Sequence, residues 1–285
     1  MDVALASCRE LPEPDHDEEL LLGALEASGI KAVVLPWDGP GADWSQARKT
    51  VLRSTWNYHL DRPRFLRWAE AVSRVSQLWN PLSVVRWNSH KSYLLELERC
   101  GLPVVPTVLV PMSSERTLES ILASRGWHAV VIKPAVSASS YRTLRIGAGQ
   151  AADGEAHLRS LAADGDVLVQ SYLPSVEGYG ERSLVWIDGE VTHAVRKSPR
   201  FSKDDESVSE EVESSLLETS LAKRAIAAAG ELVGEPLLYA RIDVAPDSQG
   251  NPVVMELELI EPSLFLAQSR VALQRFVGAI GRRLD

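Results

Sequence analysis

Three carboxylates on one predicted β-hairpin have the spacing that points most directly to chemistry. Segments 238–245 and 252–260 are predicted to pair across a short turn. Residues two apart on a strand share a face, so Glu256 and Glu258 point the same way. The position of the turn places Asp243 opposite Glu256. The alternating residues are apolar and are predicted to face the core: Met255, Leu257 and Leu259.

Asp243, Glu256 and Glu258 would repel one another, because like charges directly opposed in a sheet are destabilising. Two interpretations resolve the conflict. In the first, the three are ligands of a divalent cation such as Mg²⁺, which takes a few carboxylates together with substrate phosphates. In the second, they form a solvated polar face of the sheet. The hairpin by itself favours neither interpretation.

Two lysines on apolar elements suggest that phosphates bind nearby. Lys133 ends the apolar run 129–132, so its ammonium group emerges from a buried strand. Lys91 starts a helix predicted over 89–100, where the dipole disfavours a cation unless an anion lies between them. Alternatively, Lys133 extends to water from a strand end and Lys91 is an ordinary exposed lysine. Together with an acidic metal patch, phosphate binding is the better interpretation.

A loop of small residues, 135–140, follows Lys133 directly. The hydroxyl and backbone N–H groups of Ser137, Ser139 and Ser140 are suited to hold phosphate oxygens. Taken alone, the loop is better interpreted as a plain flexible β-turn.

The first 85 residues alternate between strand and helix patterns, which is typical of a parallel, doubly wound α/β sheet. Short apolar strands are predicted at 2–7, 31–35 and 50–53, and amphipathic helices at 17–28 and 62–75.

Arg53, Ser54 and Thr55 follow the third of these predicted strands. The carboxyl ends of strands in such a sheet are where α/β proteins bind ligands. We therefore expect the three residues to grip a substrate, with Arg53 binding a carboxylate. For the adjacent Trp56 and Tyr58, a role in packing is almost as good an interpretation as a role in substrate binding.

The rest of the chain is predicted to contain further strands and long helices. Asp188-Gly189 is a strong hairpin signal between strands at 184–187 and 190–195. The polar stretch 198–215 is predicted to be a mobile surface loop. Other strands are predicted at 129–133, 142–146 and 166–170, and helices at 216–233 and 265–284.

Composition excludes several classes of protein. The 285 residues carry 30 Lys+Arg and 39 Asp+Glu, a formal net charge of −9, which argues against a nucleic-acid partner. No apolar run approaches the roughly 20 residues that span a membrane, and the acidic N-terminus does not resemble a secretory signal. Cys8 and Cys100 cannot form a disulfide framework, so we expect a cytoplasmic protein.

Several of these segments, in their order along the chain, resemble one enzyme family. They are Lys91, the 131–134 run with its small-residue loop, 169–173, Glu181-Arg182, and Asp243 with Glu256-x-Glu258. This arrangement resembles the ATP-grasp ligases of the glutathione-synthetase type. Segments 53–58, 239–243 and 255–265 look closer to one branch, which includes the ligase that forms D-cycloserine from O-ureido-D-serine.

The resemblance implies an ATP-grasp fold in three parts. Residues 1–85 would form a Rossmann-like α/β domain that precedes the ATP-grasp unit. Residues 86–170 would form a central lid subdomain, and 171–285 a C-terminal subdomain with the Mg²⁺ site. The two subdomains would be α+β and would clasp ATP between them.

The resemblance also assigns roles to the matching positions. ATP phosphates would be bound by the lysines and the serine loop: Lys91, Lys133, Ser137, Ser139 and Ser140. Adenine would contact the hinge formed by Gln170, Tyr172 and Leu173. The ribose would face Glu181, with Glu177 as a rival. Mg²⁺ would be held by Asp243, Glu256 and Glu258. The catalytic cations would be Arg182, Lys197 and Arg241. Relatives often have glycine where this serine loop has Ser and Ala.

The implied activity is ATP-dependent ligation of a carboxylate to an amine. An amino-acid-like carboxylate would become an acyl-phosphate, and a nitrogen would then attack it, in an intramolecular ring closure or between two molecules. Competing interpretations are a dipeptide-forming ligase and a non-catalytic ATP-binding regulator. The expected ligands are ATP, Mg²⁺ and a small amino-acid-like substrate. The expected pathway is one of antibiotic biosynthesis, and a homodimer is one of the expected oligomeric states.

Overall fold

The computed structural model describes residues 1–198 and 208–284, and its first sheet is formed before residue 80. The sheet has four parallel strands in the order β2-β1-β3-β4. They are Val3–Ser7 (β1), Ala32–Pro36 (β2), Lys49–Leu52 (β3) and Gln77–Trp79 (β4). This parallel arrangement confirms what the strand–helix alternation predicts.

Helices cover both faces of this sheet. They are Glu18–Ala27 (α1) and Arg62–Ser73 (α2). Leu25 of α1 packs with Leu5 of β1 in one apolar cluster. Phe65 of α2 packs with Ala6 and Leu52 in another. Because Leu5 and Ala6 are neighbours on a strand, they face opposite sides, and the sheet is doubly wound.

Two short helices follow, Leu82–Asn88 (α3) and Tyr93–Arg99 (α4). The single helix predicted over 89–100 is therefore too long at its start, and Lys91 lies in the turn before α4. The backbone N–H of Lys91 donates to the carbonyl oxygen of Ala135, 2.7 Å away. This bond fastens Lys91 to the small-residue loop.

The second sheet is antiparallel, in the order β5-β8-β6-β7. Its elements are Thr107–Val110 (β5), Leu118–Arg125 (α5), Val130–Pro134 (β6), Leu144–Ile146 (β7), Ala151–Ala162 (α6) and Val167–Ser171 (β8). Val130 and Ile132 lie in the core under α5 and α6. Strand alternation therefore directs Val131 and Lys133 to the other face of this sheet.

The third sheet is antiparallel, in the order β11-β10-β9-β12-β13. Its elements are Ser175–Gly178 (α7), Glu181–Ile187 (β9), Glu190–Lys197 (β10), Val208–Val212 (β11), Leu216–Val233 (α8), Tyr239–Pro246 (β12), Pro252–Glu258 (β13) and Arg270–Arg282 (α9). Leu184 and Ile242 pack with residues of α8, and Val185 and Tyr239 pack with residues of α9.

Two predicted turns are confirmed. Asp188 and Gly189 join β9 to β10 with φ angles of 45° and 100°, as a two-residue hairpin requires. In the second hairpin Asp243 pairs with Glu256, as predicted. The register then shifts by one residue. The prediction that Met255 faces the core is confirmed only in part, because its half-buried side chain packs against the core and also lines a cavity.

The prediction of a loop over 198–215 is wrong at Val208–Val212, where β11 forms. Val208 pairs with Lys197 at the edge of the sheet, and an edge strand tolerates the charged residues of this segment. The part of that prediction at 199–207 lies outside the described residues. The predicted helices and strands also miss α3, β4, β5, α5 and α6.

The last helix begins at Arg270 rather than at 265. The backbone N–H groups of Leu264, Leu266 and Ala267 donate to the carboxylate of Asp17, so these residues form a loop instead. No helix in the described ranges is long and apolar enough to cross a membrane. The domain boundaries at 85 and 170 stay a prediction.

Candidate active site

A cavity of about 940 Å³ lies where the three sheets meet. Its wall includes the loop before α1, the turn before α4, one face of the second sheet, and β12 and β13 with the loop that follows. These segments are far apart in the sequence. The cavity is therefore formed by the whole fold.

Four cations line this cavity, and we call them the cationic wall: Lys91, Lys133, Lys197 and Arg241. Each comes from a different element, respectively the turn before α4 and strands β6, β10 and β12. Lys91, Lys197 and Arg241 are buried. The structure thus brings together the two predicted phosphate lysines and two of the three predicted catalytic cations.

Lys133 has a perturbed acid–base equilibrium. Burial, followed by the positive charge of Lys91, lowers the pKa of Lys133 to about 7. Both effects disfavour the ammonium form. An anion bound between the two lysines would reverse the second effect.

The predicted carboxylates lie against the cationic wall. Arg241 donates to Asp243 through Nε and Nη2, at 3.0 Å each, and also bonds Glu258. Lys197 donates to Asp243 at 2.6 Å, and Lys91 pairs with Glu256. Like-charge repulsion among the carboxylates is therefore relieved by lysine and arginine.

Asp243 differs from the two glutamates. It is 2% exposed, and only Glu256 and Glu258 are on the cavity wall. Burial by itself would raise the pKa of Asp243, but Arg241 and Lys197 hold it well below its usual range. Asp243 therefore stays ionised behind the wall.

The carboxylates suit Mg²⁺ by their chemistry, because hard divalent cations prefer oxygen ligands. Glu256 and Glu258 direct such oxygens toward the cavity. Across residues 1–198 and 208–284, no three acidic, histidine or cysteine side chains are grouped closely enough to hold a metal ion. The carboxylate oxygens are therefore suitable ligands for Mg²⁺ by their chemistry, but in this structure they are engaged in ion pairs and are not gathered around one point.

The serine loop borders the cavity with all three predicted residues. Ser137 is buried and its hydroxyl donates to the Pro134 carbonyl oxygen at 3.1 Å. Ser139 and Ser140 have φ angles of 47° and 57°. Glycine adopts this left-handed conformation without steric cost, so glycine would suit these two positions.

The predicted adenine hinge also lies on the cavity: Gln170, Tyr172 and Leu173. The side chain of Gln170 donates to the Thr107 hydroxyl at 2.9 Å and is buried. The Arg145 guanidinium lies 3.9 Å from the centre of the Tyr172 ring. The hinge is therefore held in place by neighbours on both sides.

The two rival ribose residues have different positions. Glu181 lines the cavity and lies 3.5 Å from the Lys197 ammonium group. Glu177 is exposed, away from the cavity wall, and pairs with Arg145 at 2.8 Å. This placement favours Glu181 for the ribose.

Arg182 is not brought to the cavity, and the expectation that it acts there requires correction. Alternation on β9 places Glu181 on the cavity face and Arg182 on the opposite face. Arg182 pairs across the sheet with Arg196. Its guanidinium lies 4.2 Å from the centre of the Tyr179 ring and donates to the Tyr179 carbonyl oxygen.

The predicted substrate residues Arg53, Ser54 and Thr55 are buried and do not line the cavity. Arg53 lies 3.9 Å from the Asp17 carboxylate and 5.8 Å from the centre of the Tyr239 ring. The strand end is covered by the third sheet and the loop after β13. The expected contact of these residues with substrate is therefore not observed.

Sequence reasoning missed the loop over residues 259–268, which we call the clasped loop. Its residues Glu261, Ser263, Phe265 and Gln268 line the cavity. Asp17 binds its backbone from one side, and the Trp56 indole N–H donates to the Glu261 carbonyl oxygen at 2.9 Å from the other. These contacts join residues more than 200 positions apart in the sequence, and no pattern among neighbouring residues predicts them.

Glu261 is the buried acid of the clasped loop. Burial, followed by the negative charge of Glu258, raises the pKa of Glu261 to about 8. The only signal in the sequence is its place in the 255–265 segment, three residues after Glu258.

The fold of the chain matches a known class of enzyme. The RimK domain protein ATP-grasp from Sphaerobacter thermophilus superposes with a TM-score of 0.69 at 18% identity, over 99% of this chain and 98% of that one. The predicted fold class is thereby confirmed, and the chain has the ATP-grasp fold.

A narrower family is visible at higher identity. The cycloserine biosynthesis protein DcsG of Streptomyces lavendulae is 32% identical over 282 residues, 95% of this chain and 94% of that protein. The crystal structure of D-cycloserine synthetase DcsG matches with a TM-score of 0.93 at 32% identity, over the whole of both chains. Residues 3–80 match the D-cycloserine synthetase DcsG N-terminal domain. The chain belongs to the D-cycloserine synthetase family of ATP-grasp ligases.

The activity class follows from this family. The protein is an ATP-dependent carboxylate–amine ligase, which forms carbon–nitrogen bonds and binds ATP with a small substrate. The sequence prediction of this activity is confirmed, and the competing interpretation as a non-catalytic regulator is set aside.

Proposed function

We propose that this ligase closes a ring within one amino-acid-like molecule, as in the formation of D-cycloserine from O-ureido-D-serine. The observation that carries the proposal is the match to D-cycloserine synthetase over the whole chain, with a TM-score of 0.93. The free thiols of Cys8 and Cys100 support a reducing, cytoplasmic setting. Its pathway would be one of antibiotic biosynthesis.

We assign ATP to the cationic wall and the neighbouring hinge. Lys91 and Lys133 bind the phosphates, together with the loop serines Ser137, Ser139 and Ser140. Gln170, Tyr172 and Leu173 contact adenine, and Glu181 binds the ribose. The support for these roles is that all of these residues line one cavity.

Mg²⁺ is assigned to Glu256 and Glu258, with Asp243 behind them. When bound, the ion would neutralise charge on the phosphate oxygens and orient them. Arg241 keeps Asp243 and Glu258 in place, because it hydrogen-bonds both carboxylates. The number of protein ligands follows the preference of Mg²⁺ for a few carboxylates plus phosphates.

The reaction has two steps. A carboxylate oxygen of the substrate attacks the γ-phosphorus of ATP, the bond to the β–γ bridging oxygen breaks, and ADP leaves. A nitrogen of the same molecule then attacks the acyl carbon, loses a proton and expels inorganic phosphate. In O-ureido-D-serine the ring-closing nitrogen carries a carbamoyl group, so D-cycloserine forms once water has removed that group as carbon dioxide and ammonia. Lys197 and Arg241 stabilise the charge that develops on the transferring phosphoryl group, since phosphoryl transfer depends mainly on positioning and electrostatics.

The test is ADP release with O-ureido-D-serine and a panel of D- and L-amino acids, followed by mass spectrometry of the products. Ring closure gives a product lighter than its single substrate. Joining of two amino acids gives a product heavier than either one and would replace the ring-closing proposal with the dipeptide-forming alternative. Absence of substrate-stimulated ADP release across the panel would contradict the proposed substrate class.

A further inference from the structure

Glu261 is a buried carboxylate on the wall of the cavity. It is 8% exposed and lines the cavity through the clasped loop. Among the residues that the structure describes, no other residue donates a hydrogen bond to its side chain or forms an ion pair with it. Because an ionised carboxylate buried without a partner is costly, Glu261 favours its neutral form until a cationic group binds beside it. A cationic ligand group would remove that cost.

The other acids near the cavity already have partners. Glu256 pairs with Lys91, and Glu258 with Arg241. Asp17 accepts three backbone N–H groups of the clasped loop. Glu261 therefore differs from them in being buried while its side chain forms no ion pair or hydrogen bond with another described residue.

The backbone at Glu261 is held rigidly. The Asn80 side chain donates to the Leu259 carbonyl oxygen at 2.7 Å, and the Tyr239 hydroxyl to that of Ile260 at 2.8 Å. Trp56 holds the carbonyl oxygen of Glu261 itself. A carboxylate fixed in this way binds a ligand at a lower entropic cost than one on a mobile loop.

We propose that Glu261 binds the α-ammonium group of the amino-acid-like substrate. This inference rests on the proposed function, in which the carboxylate of that substrate reacts beside Arg241. Arg241 donates to the Ser263 carbonyl oxygen, two residues from Glu261, and both Arg241 and Glu261 line the cavity, so the carboxylate site and Glu261 are close neighbours. In an α-amino acid the ammonium and carboxylate groups share one carbon, so a substrate oriented by Arg241 presents its ammonium group to Glu261.

The contact would also fix the orientation of the substrate. It holds the α-carbon through the ammonium group in addition to the carboxylate, and a substrate held at two points reacts from a defined geometry. Glu261 is in this sense a substrate-positioning residue for ring closure.

The experiment compares wild-type enzyme and E261Q on two compounds: O-ureido-D-serine and its deaminated analogue, with hydrogen in place of the α-amino group. In E261Q we expect kcat/KM for the amino acid to fall about 10- to 100-fold, because a charge-assisted hydrogen bond is lost. The analogue should react equally slowly with both enzymes, and ATP should bind both with equal affinity. E261D keeps the charge and should retain the preference for the amino acid.

The matched control is E231Q, the same chemical change at an exposed position of α8, which should behave as wild type. ATP binding reports whether each variant is folded. Equal use of the two compounds by the wild-type enzyme would overturn the inference without any variant. An undiminished preference in folded E261Q would also overturn it, while the proposed function would stand. No turnover of any amino acid by the wild-type enzyme would overturn the proposed function, and the inference with it.

Discussion

The cationic wall and the clasped loop border the same cavity, but they treat charge in different ways. On the cationic wall, Lys91, Lys197 and Arg241 each pair with a carboxylate. On the clasped loop, Glu261 forms no ion pair with any of the described residues. The charges of the wall are therefore held in internal ion pairs that ATP and Mg²⁺ can replace, whereas the loop presents one carboxyl group that no ion pair of the described residues occupies.

The two regions also differ in what holds them. The residues of the cationic wall lie on strands or next to them, so sheet register positions them. The clasped loop contains no helix or strand over 259–268 and is held by side-chain hydrogen bonds, among them those of Asp17, Trp56, Asn80 and Tyr239. Removing one of these contacts should therefore disturb the loop and leave the wall intact. The following predictions test that difference, from the largest expected effect to the smallest.

The largest effect is expected for Glu256→Gln on the cationic wall. The substitution removes one oxygen charge from the proposed Mg²⁺ site, and a metal ion contributes several kcal/mol to transition-state stabilisation. We expect Mg²⁺-dependent ADP release to fall by about three orders of magnitude. The fold should persist, because Glu256 is only half-buried on the polar face of the hairpin. Wild-type turnover in this variant would contradict the metal assignment.

The pH dependence of ATP binding tests the wall at Lys133. Its pKa of about 7 in the protein without ATP leaves the side chain mostly neutral above pH 7. Bound phosphates favour the ammonium form and raise its pKa, so binding takes up about one proton at pH 8. The affinity for ATP should therefore fall by up to about tenfold per pH unit from pH 7 to 9.

Isothermal titration in buffers of different ionisation enthalpy measures this proton uptake. The matched variant is Lys133→Arg, which stays charged throughout this range. Its ATP affinity should vary much less with pH than that of the wild-type enzyme. Equal pH profiles for the two proteins would show that Lys133 is already charged before ATP binds.

A smaller effect is expected at the clasped loop for Asp17→Asn. The variant keeps one acceptor oxygen but leaves Arg53 buried without its counter-charge, which costs about 3 kcal/mol in the free energy of unfolding. The loosened loop should raise KM for the amino-acid substrate about tenfold, with ATP affinity unchanged, because pre-organisation is lost. Urea unfolding and initial rates measure the two quantities.

Asp153→Asn is the control for this prediction, since it makes the same change at an exposed position of α6. It should alter neither KM nor stability appreciably. If Asp17→Asn weakened ATP binding as strongly as substrate binding, the wall and the loop would not be independent regions.

Local periodicity explains which parts of the site were predictable. The pairing of Asp243 with Glu256 and the exposure of Lys133 on one face of β6 both follow from the two-residue repeat of a strand. The bulge that turns Met255 toward the cavity breaks this repeat and has no signal in the sequence. The parallel sheet was equally predictable, because its strands and helices alternate along the chain.

Long-range contacts explain what was not predictable. The clasped loop depends on Asp17, which lies about 250 positions away in the sequence. Arg53 follows a strand, as ligand-binding residues often do, but the third sheet covers it and its charge is directed to Asp17. Both features depend on how the sheets pack together, which no window of neighbouring residues encodes.

The smallest effect is expected for Arg182→Ala. This variant tests whether Arg182 has the catalytic role that the family resemblance implies or points away from the cavity, as its position on β9 indicates. The family resemblance makes Arg182 a catalytic cation, whereas alternation on β9 turns it away from the cavity toward Tyr179. Since the described contacts of its side chain are with that neighbour, kcat/KM should fall by less than about threefold, within the range of an exposed cation–π contact. Arg241→Ala serves as the contrast and should lower kcat/KM at least about a hundredfold, because it leaves Asp243 buried with one cation fewer. Similar losses for the two variants would mean that β9 presents Arg182 to the phosphates during the reaction, and the cationic wall would then have five members.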